Sequence, residues 1–183
     1  MKLYGKEAFE DLMVFDALIA NKDRHLGNFG MIIDNDTNEL LREAPIFDNG
    51  WGILNFLTKD ELKEIDKIIS ESKSYLDFTF DTQLKLFIQP RHKEGLEKLK
   101  NFTFKRHEIY NLSEEWLRPI ENFIRQRAIK ALEFIEEKQD NAKKLDTLIH
   151  QTKPMQSEVD KWSEDRENTG QDNILNDKNS QPV

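Results

Sequence analysis

Apolar residues recur at Phe9, Leu12, Met13, Phe15, Leu18 and Ile19, close to the 3.6-residue period of a helix, with carboxylates between them. The spacing predicts a helix over 7–20. The polar run NKDRHLGN (21–28) then breaks the period. FGMIID (29–34) has strand character and NDTN (35–38) is turn chemistry. ELLREAPIFD (39–48) reads as the returning segment, with Pro45 near its exit. The pattern thus predicts a helix, a polar loop, a small hairpin and a second polar loop at DNGWG (48–52).

From Thr58 onward the pattern is helical. Thr58 and Glu61 form a capping-box pair, and Leu62, Ile65, Ile68 and Ile69 share one face behind it. SYLDFTF (74–80) is predicted extended, with Asp81 capping a short helix through Leu84, Leu86, Phe87 and Ile88 that Pro90 ends. A further amphipathic helix is predicted over 93–102. The longest is predicted over 119–138, where Ile120, Phe123, Ile124, Ala128, Ala131, Leu132 and Ile135 form a stripe. Pro119 suits its first turn, and SEEW (113–116) reads as a turn before it. After about His150 the composition turns polar and aperiodic. Residues 1–150 are therefore expected to form one mainly α domain, and 151–183 a disordered tail with Trp162 as its one candidate anchor.

Composition narrows the class. Hydrophobic residues make up 37% and charged residues 34% of 183, and no apolar run approaches the ~18 residues needed to cross a bilayer. Without cysteine there is neither a disulfide scaffold nor a thiolate zinc site, which suits a cytoplasmic protein. Lys and Arg number 27 against 35 Asp and Glu, a net of −8, so direct nucleic-acid binding over a broad phosphate footprint is not expected. RHKEGLEKLKNFTFKRH (91–107) is the most basic stretch, but Glu94 and Glu97 break it up and it reads as a solvated helix face.

The polar loops carry the candidate chemistry. Phosphoryl transfer needs a carboxylate to orient or deprotonate the attacking hydroxyl, and oxygen ligands that hold Mg²⁺ against nucleotide phosphates. Asp23 and Asn28 stand five residues apart, and Asp48 follows Asn28 by twenty, across a hairpin that would return it beside Asn28. Taken singly, Asp23 and Asn28 are a polar helix-ending turn, His25 a structural histidine, Arg24 an ion-pair partner, and Asp48-Asn49-Gly50 a plain turn. Their common register is what points to chemistry. Gly27-Asn28-Phe29-Gly30 lacks the Lys-Ser/Thr ending of a phosphate-cradling loop. His92, His107 and His150 have no ligand spacing, so no metal beyond Mg²⁺ is expected.

The segment FDALIANKDRHLGNFGMIIDNDTNELLREAPIFDNG resembles the catalytic and metal loops of HipA-like serine/threonine kinases, closely over residues 9–54 and more thinly to about 140. Its D-R-H order is also similar to the catalytic loop of phosphatidylinositol kinases. The resemblance implies a protein-kinase-like large lobe with one small β hairpin, acting on ATP and a protein serine or threonine. Within it, Asp23 matches the catalytic aspartate, and Asn28 and Asp48 match the Mg²⁺ ligands. His25 would be a buried hydrogen-bonding strut, and Arg24 a loop-positioning or substrate-side cation. Gly50 follows Asn49 where the family's fold relatives carry phenylalanine, which removes the aromatic switch of classical kinases. Only 22 residues precede Asp23, too few for a glycine-rich loop and a strand-borne lysine, so the small lobe is expected to be missing: either the gene product is longer, or a partner supplies the lobe, or the module no longer works as an enzyme. The resemblance further suggests a bacterial toxin–antitoxin setting with an antitoxin partner. The alternative is a non-catalytic interaction module derived from a truncated kinase.

Overall fold

The computed structural model describes residues 4–52 and 57–152. Among them the fold is mainly helical: α1 (Lys6–Ile19), β1 (Met31–Ile33), β2 (Leu40–Glu43), α2 (Ile65–Glu71), α3 (Phe80–Phe87), α4 (Lys93–Leu99) and α5 (Glu114–Thr152), with short 3₁₀ turns at Leu26–Asn28, Glu61–Glu64 and Pro90–His92. The chain divides into two compact units, Met1–Glu137 and Lys138–Val183, and the division falls within α5. The residues expected as a tail, Trp162 included, lie outside the described residues except for the first two, which continue α5.

The first unit is built around α1. Leu12, Met13, Val14, Ala17 and Leu18 are buried, but so are Glu10 and Asp16, so the carboxylates between the apolar positions do not all face solvent. α1 packs chiefly on α3. Phe80, Leu84 and Ile88 from that side meet Ile65 and Ile69 of α2 and Ile120, Phe123, Ala128, Ala131 and Ile135 of α5 in one apolar core. Polar side chains fasten α1 to its neighbours from within. Gln83 donates to the Met13 carbonyl at 2.9 Å. Arg127 donates from Nε and Nη2 to the Ala17 carbonyl at 3.1 and 3.0 Å, satisfying an acceptor of the last turn that α1 itself leaves open. At the other end Gly5 donates its N–H to the Glu43 carboxylate at 3.1 Å. A Cβ there would stand 2.5 Å from that oxygen, so any larger residue would make the flexible Glu43 side chain shift.

The predicted hairpin forms, shorter than expected. β1 and β2 are antiparallel, pairing Met31 with Glu43, Ile32 with Arg42 and Ile33 with Leu40. The extra residue, Leu41, makes a bulge between the last two pairs. Thr58 and Glu61 exchange the predicted capping contacts: the Glu61 carboxylate accepts from the Thr58 N–H at 2.6 Å, and the Thr58 hydroxyl from the Glu61 N–H at 3.4 Å.

Several expectations are corrected. Residues 74–80 are not an extended run. Lys73 bridges to Thr79 around a turn in which Asp77 adopts φ 61°, and Lys73 holds Asp77 at 2.8 Å. The cap of α3 is Thr79, whose hydroxyl accepts from the Thr82 N–H at 3.2 Å. Asp81, within the first turn, instead takes Arg127 and Lys130 of α5. α4 ends at Leu99 rather than 102. α5 starts at Glu114, so SEEW is its first turn and Pro119 sits inside it, at the loss of the hydrogen bond to the Glu115 carbonyl. Beyond the end of its apolar stripe the helix continues on polar pairs such as Asp140–Lys143 and Asp146–His150, each 3.6 Å, which an apolar period cannot register.

Candidate functional site

The polar loop after α1 is shaped by how that helix stops. Ala20 takes the left-handed conformation, φ 53°, and the Asn21 N–H closes back on the Asp16 carbonyl at 2.9 Å. This turns the loop across the end of α1 and over the Asp16 side chain. Asp16 is fully buried, and an isolated carboxylate there would be very costly. Arg24, 4% exposed, answers it with two parallel bonds: Nε to Oδ2 at 2.8 Å and Nη2 to Oδ1 at 2.9 Å. Asn21 adds a third donor to Asp16 Oδ1 at 3.0 Å.

The same guanidinium reaches the second loop. Nη1 donates to the backbone carbonyls of Asn28, at 2.6 Å, and Phe47, at 2.5 Å, while Nη2 donates to Asn49 Oδ1 at 2.6 Å. The Lys22 N–H adds a longer tie to the Trp51 carbonyl at 3.5 Å. One planar cation therefore holds Asn28 together with both residues that flank Asp48. Arg24 is a positioning strut with no exposed face to offer a substrate, so of its two expected roles the geometry supports the first.

Asp23 is fixed through its backbone. Its N–H donates to Asn21 Oδ1 at 3.2 Å, and its carbonyl accepts from the His25 N–H at 3.0 Å and from Asn28 Nδ2 at 2.7 Å. That leaves the carboxylate, 39% exposed, facing outward from a rigid loop. The bond from Asn28 Nδ2 also fixes the orientation of the buried Asn28 amide, whose Oδ1 accepts no hydrogen bond among the described residues. Asp48 is exposed and adopts φ 53°, while neither Gly50 nor any other described glycine has positive φ. The left-handed position of the Asp48-Asn49-Gly50 turn thus falls on the carboxylate rather than on the glycine, a conformation that aspartate tolerates, as Asp77 does in its own turn.

His25 is not the buried strut expected. Its side chain is 41% exposed, because Arg24 takes the inward direction and the next residue of an extended backbone points out. Its Nδ1 accepts from the Gly27 N–H at 3.0 Å, its Nε2 stands 3.9 Å from Asp23 Oδ2, and its ring meets Tyr75 edge-on at 6.0 Å.

Sequence reasoning missed Asp16, Asn21 and Asn49. Asp16 left a readable sign: it occupies the apolar face of α1, four residues after Leu12 and three after Met13, where only a paired carboxylate survives burial.

Among the described residues no group of three or more His, Asp or Glu side chains is placed to hold a metal. A cation here would draw on Asn28 Oδ1 and the Asp48 carboxylate and complete its shell from elsewhere. That donor set fits Mg²⁺ bound with a nucleotide, which takes one or two protein oxygens with phosphates and waters. Among the described residues no helix is long and apolar enough to cross a membrane. No family model, curated protein or solved structure matches the chain.

Proposed function

We propose that this chain carries the phosphoryl-transfer half of a HipA-like serine/threonine kinase. The observation that supports it best is the Arg24 guanidinium, which ties the Asn28 carbonyl to the Phe47 carbonyl and the Asn49 side chain, the two neighbours of Asp48. Asp23, held by its backbone with its carboxylate outward, orients a protein hydroxyl and accepts its proton as the oxygen bonds to the γ-phosphorus and ADP departs. Mg²⁺, when bound with ATP, neutralises charge on the phosphate oxygens. Asn28 and Asp48 would hold it, and Asp16 orients the Arg24 guanidinium that ties the loops on which they stand. The reading requires a lobe that covers the nucleotide, supplied by a further segment or a partner protein.

A second reading, an interaction module without catalysis, draws on the exposed Leu40, Leu41, Ile46, Phe47 and Trp51 around the hairpin. Fusion to the small lobe of a HipA-like kinase separates the two. The fused wild type should transfer labelled phosphate from ATP to serine or threonine. Asp23→Asn should lower the rate by roughly 10²–10⁴-fold, the ordinary worth of a general base. A folded, ATP-binding fusion that transfers nothing, or an Asp23→Asn variant as fast as wild type, would leave the interaction reading in its place.

A further inference from the structure

A cavity of about 720 Å³ opens beside the Asp23 loop, within the range of pockets that bind small ligands. Its walls include Phe9 and Met13 of α1, Leu26 of the loop, Met31 of β1, and Tyr75 and Leu76 of the turn before α3. Leu26 is 83% exposed, and Tyr75 and Leu76 are exposed with it, so the apolar rim faces solvent. Tyr75 both lines the cavity and touches His25, which places the mouth alongside the outward face of the Asp23 loop.

Three charged residues border the cavity, Lys6, Glu10 and Arg24, and the two buried ones are paired. Arg24 is engaged by Asp16, and Glu10 is held by Arg91 at 2.8 Å and approached by Lys6 at 3.8 Å. Lys6 stands on the wall with an exposed ammonium, and the rest of the lining is overwhelmingly apolar. The occupant that fits the greater part of the wall is therefore an apolar side chain. A polypeptide that brings a hydroxyl to Asp23 must also pass Leu26 and Tyr75, the residues of the rim.

We infer that this cavity is a substrate-specificity subsite, taking a leucine, methionine or phenylalanine side chain that lies within a few residues of the phosphoacceptor. The inference rests on the kinase reading for the identity of its occupant, but its test needs no phosphoryl transfer. Two of the four methionines, Met13 and Met31, line the cavity, so methyl-labelled methionine gives a direct report by NMR. The full chain is titrated with short serine peptides of equal charge that carry either leucine or alanine at a flanking position. The leucine peptide should shift the Met13 and Met31 methyls and bind roughly tenfold more tightly, the worth of burying the extra apolar surface. Leu26→Asp and Tyr75→Ser, both at exposed positions that the core does not need, should abolish that preference, while Asp23→Asn should keep it.

Equal binding of the two peptides, or an unchanged preference in the Leu26→Asp and Tyr75→Ser variants, would overturn the inference. So would adenosine that shifts the same methyls and displaces the leucine peptide, because the cavity would then hold the nucleotide base. Selective peptide binding by a chain whose fusion transfers no phosphate would sink the kinase reading and leave the apolar peptide subsite standing.

Discussion

The two ends of helix α1 use carboxylates differently. At the C-terminal end Asp16 is fully buried and meets a buried Arg24, and every donor nitrogen of that guanidinium is engaged by the loops it joins. At the N-terminal end Glu10 and Asp11 take Arg91 and His92 from the Pro90–His92 turn at 2.8 Å, and Asp11 is half-exposed. The outer cluster fastens a surface turn to a helix, and at the half-exposed Asp11 solvent can replace much of what it provides. The inner pair has no such substitute. Its partners include backbone carbonyls of two loops that carry the candidate chemistry, so its geometry is transmitted to them. Equal distances, near 2.8 Å in both places, therefore conceal unequal consequences.

The contrast is sharpest for single substitutions. Arg24→Ala strands the Asp16 charge and should cost about 3–5 kcal/mol in urea unfolding. The double replacement Asp16→Leu with Arg24→Met removes both charges and should recover most of that loss, while ATP-dependent transfer by the fused protein stays low because the loops lose their common tie. Recovery of both stability and transfer would mean that Arg24 does no positioning. At the outer end, Asp11→Asn should cost at most about 1 kcal/mol, with the deficit shrinking further as salt is raised. A loss matching that of Arg24→Ala would erase the distinction between the two ends.

Acid gives the smallest effect. Burial pushes the Asp11 carboxyl up, but the hydrogen bonds and charges of His92 and Arg91 outweigh it and hold the group below its ordinary 3.8. Asp11 is therefore more readily protonated in the unfolded chain. Its contribution is complete above the ordinary carboxylate range and is lost as the pH falls through the lowered value. Melting temperatures of wild type and Asp11→Asn should converge as the solution is acidified through that range. A gap that widens in acid would assign the stabilisation to another group.

Much of this arrangement was legible in the residues. The apolar period located α1 and most of the α5 stripe, and the five-residue spacing of Asp23 and Asn28 across a short hairpin from Asp48 picked out two loops that the fold does tie together. What escaped has physical causes. Asn21 and Asn49 act through side-chain amides whose partners are set by the fold, and neither lies at a spacing that betrays it. The resemblance implies an interior His25, but the side chain this loop turns inward is Arg24, and nothing local in the sequence announces that. The capping choice at α3 went to Thr79 because Asp81 finds two cations on α5, more than forty residues away in sequence. The 114–118 turn of α5 was discounted on the strength of Pro119, although a helix can lose one early hydrogen bond and still continue.

The Arg24 bond to the Phe47 carbonyl also changes what the hairpin is. With Asn28 and Phe47 fastened to one nitrogen, the intervening chain becomes a side branch closed at its base, and the relation between Asn28 and Asp48 no longer depends on what lies at its tip. The Asp34–Asn38 turn can then be lengthened, shortened or exchanged with little effect on the two loops, since lengthening a closed surface loop adds only slowly to its entropic cost. The tip becomes the natural place to graft a reporter or an affinity handle, and a region where length variation among related chains would be tolerated, while position 24 would not be free to vary.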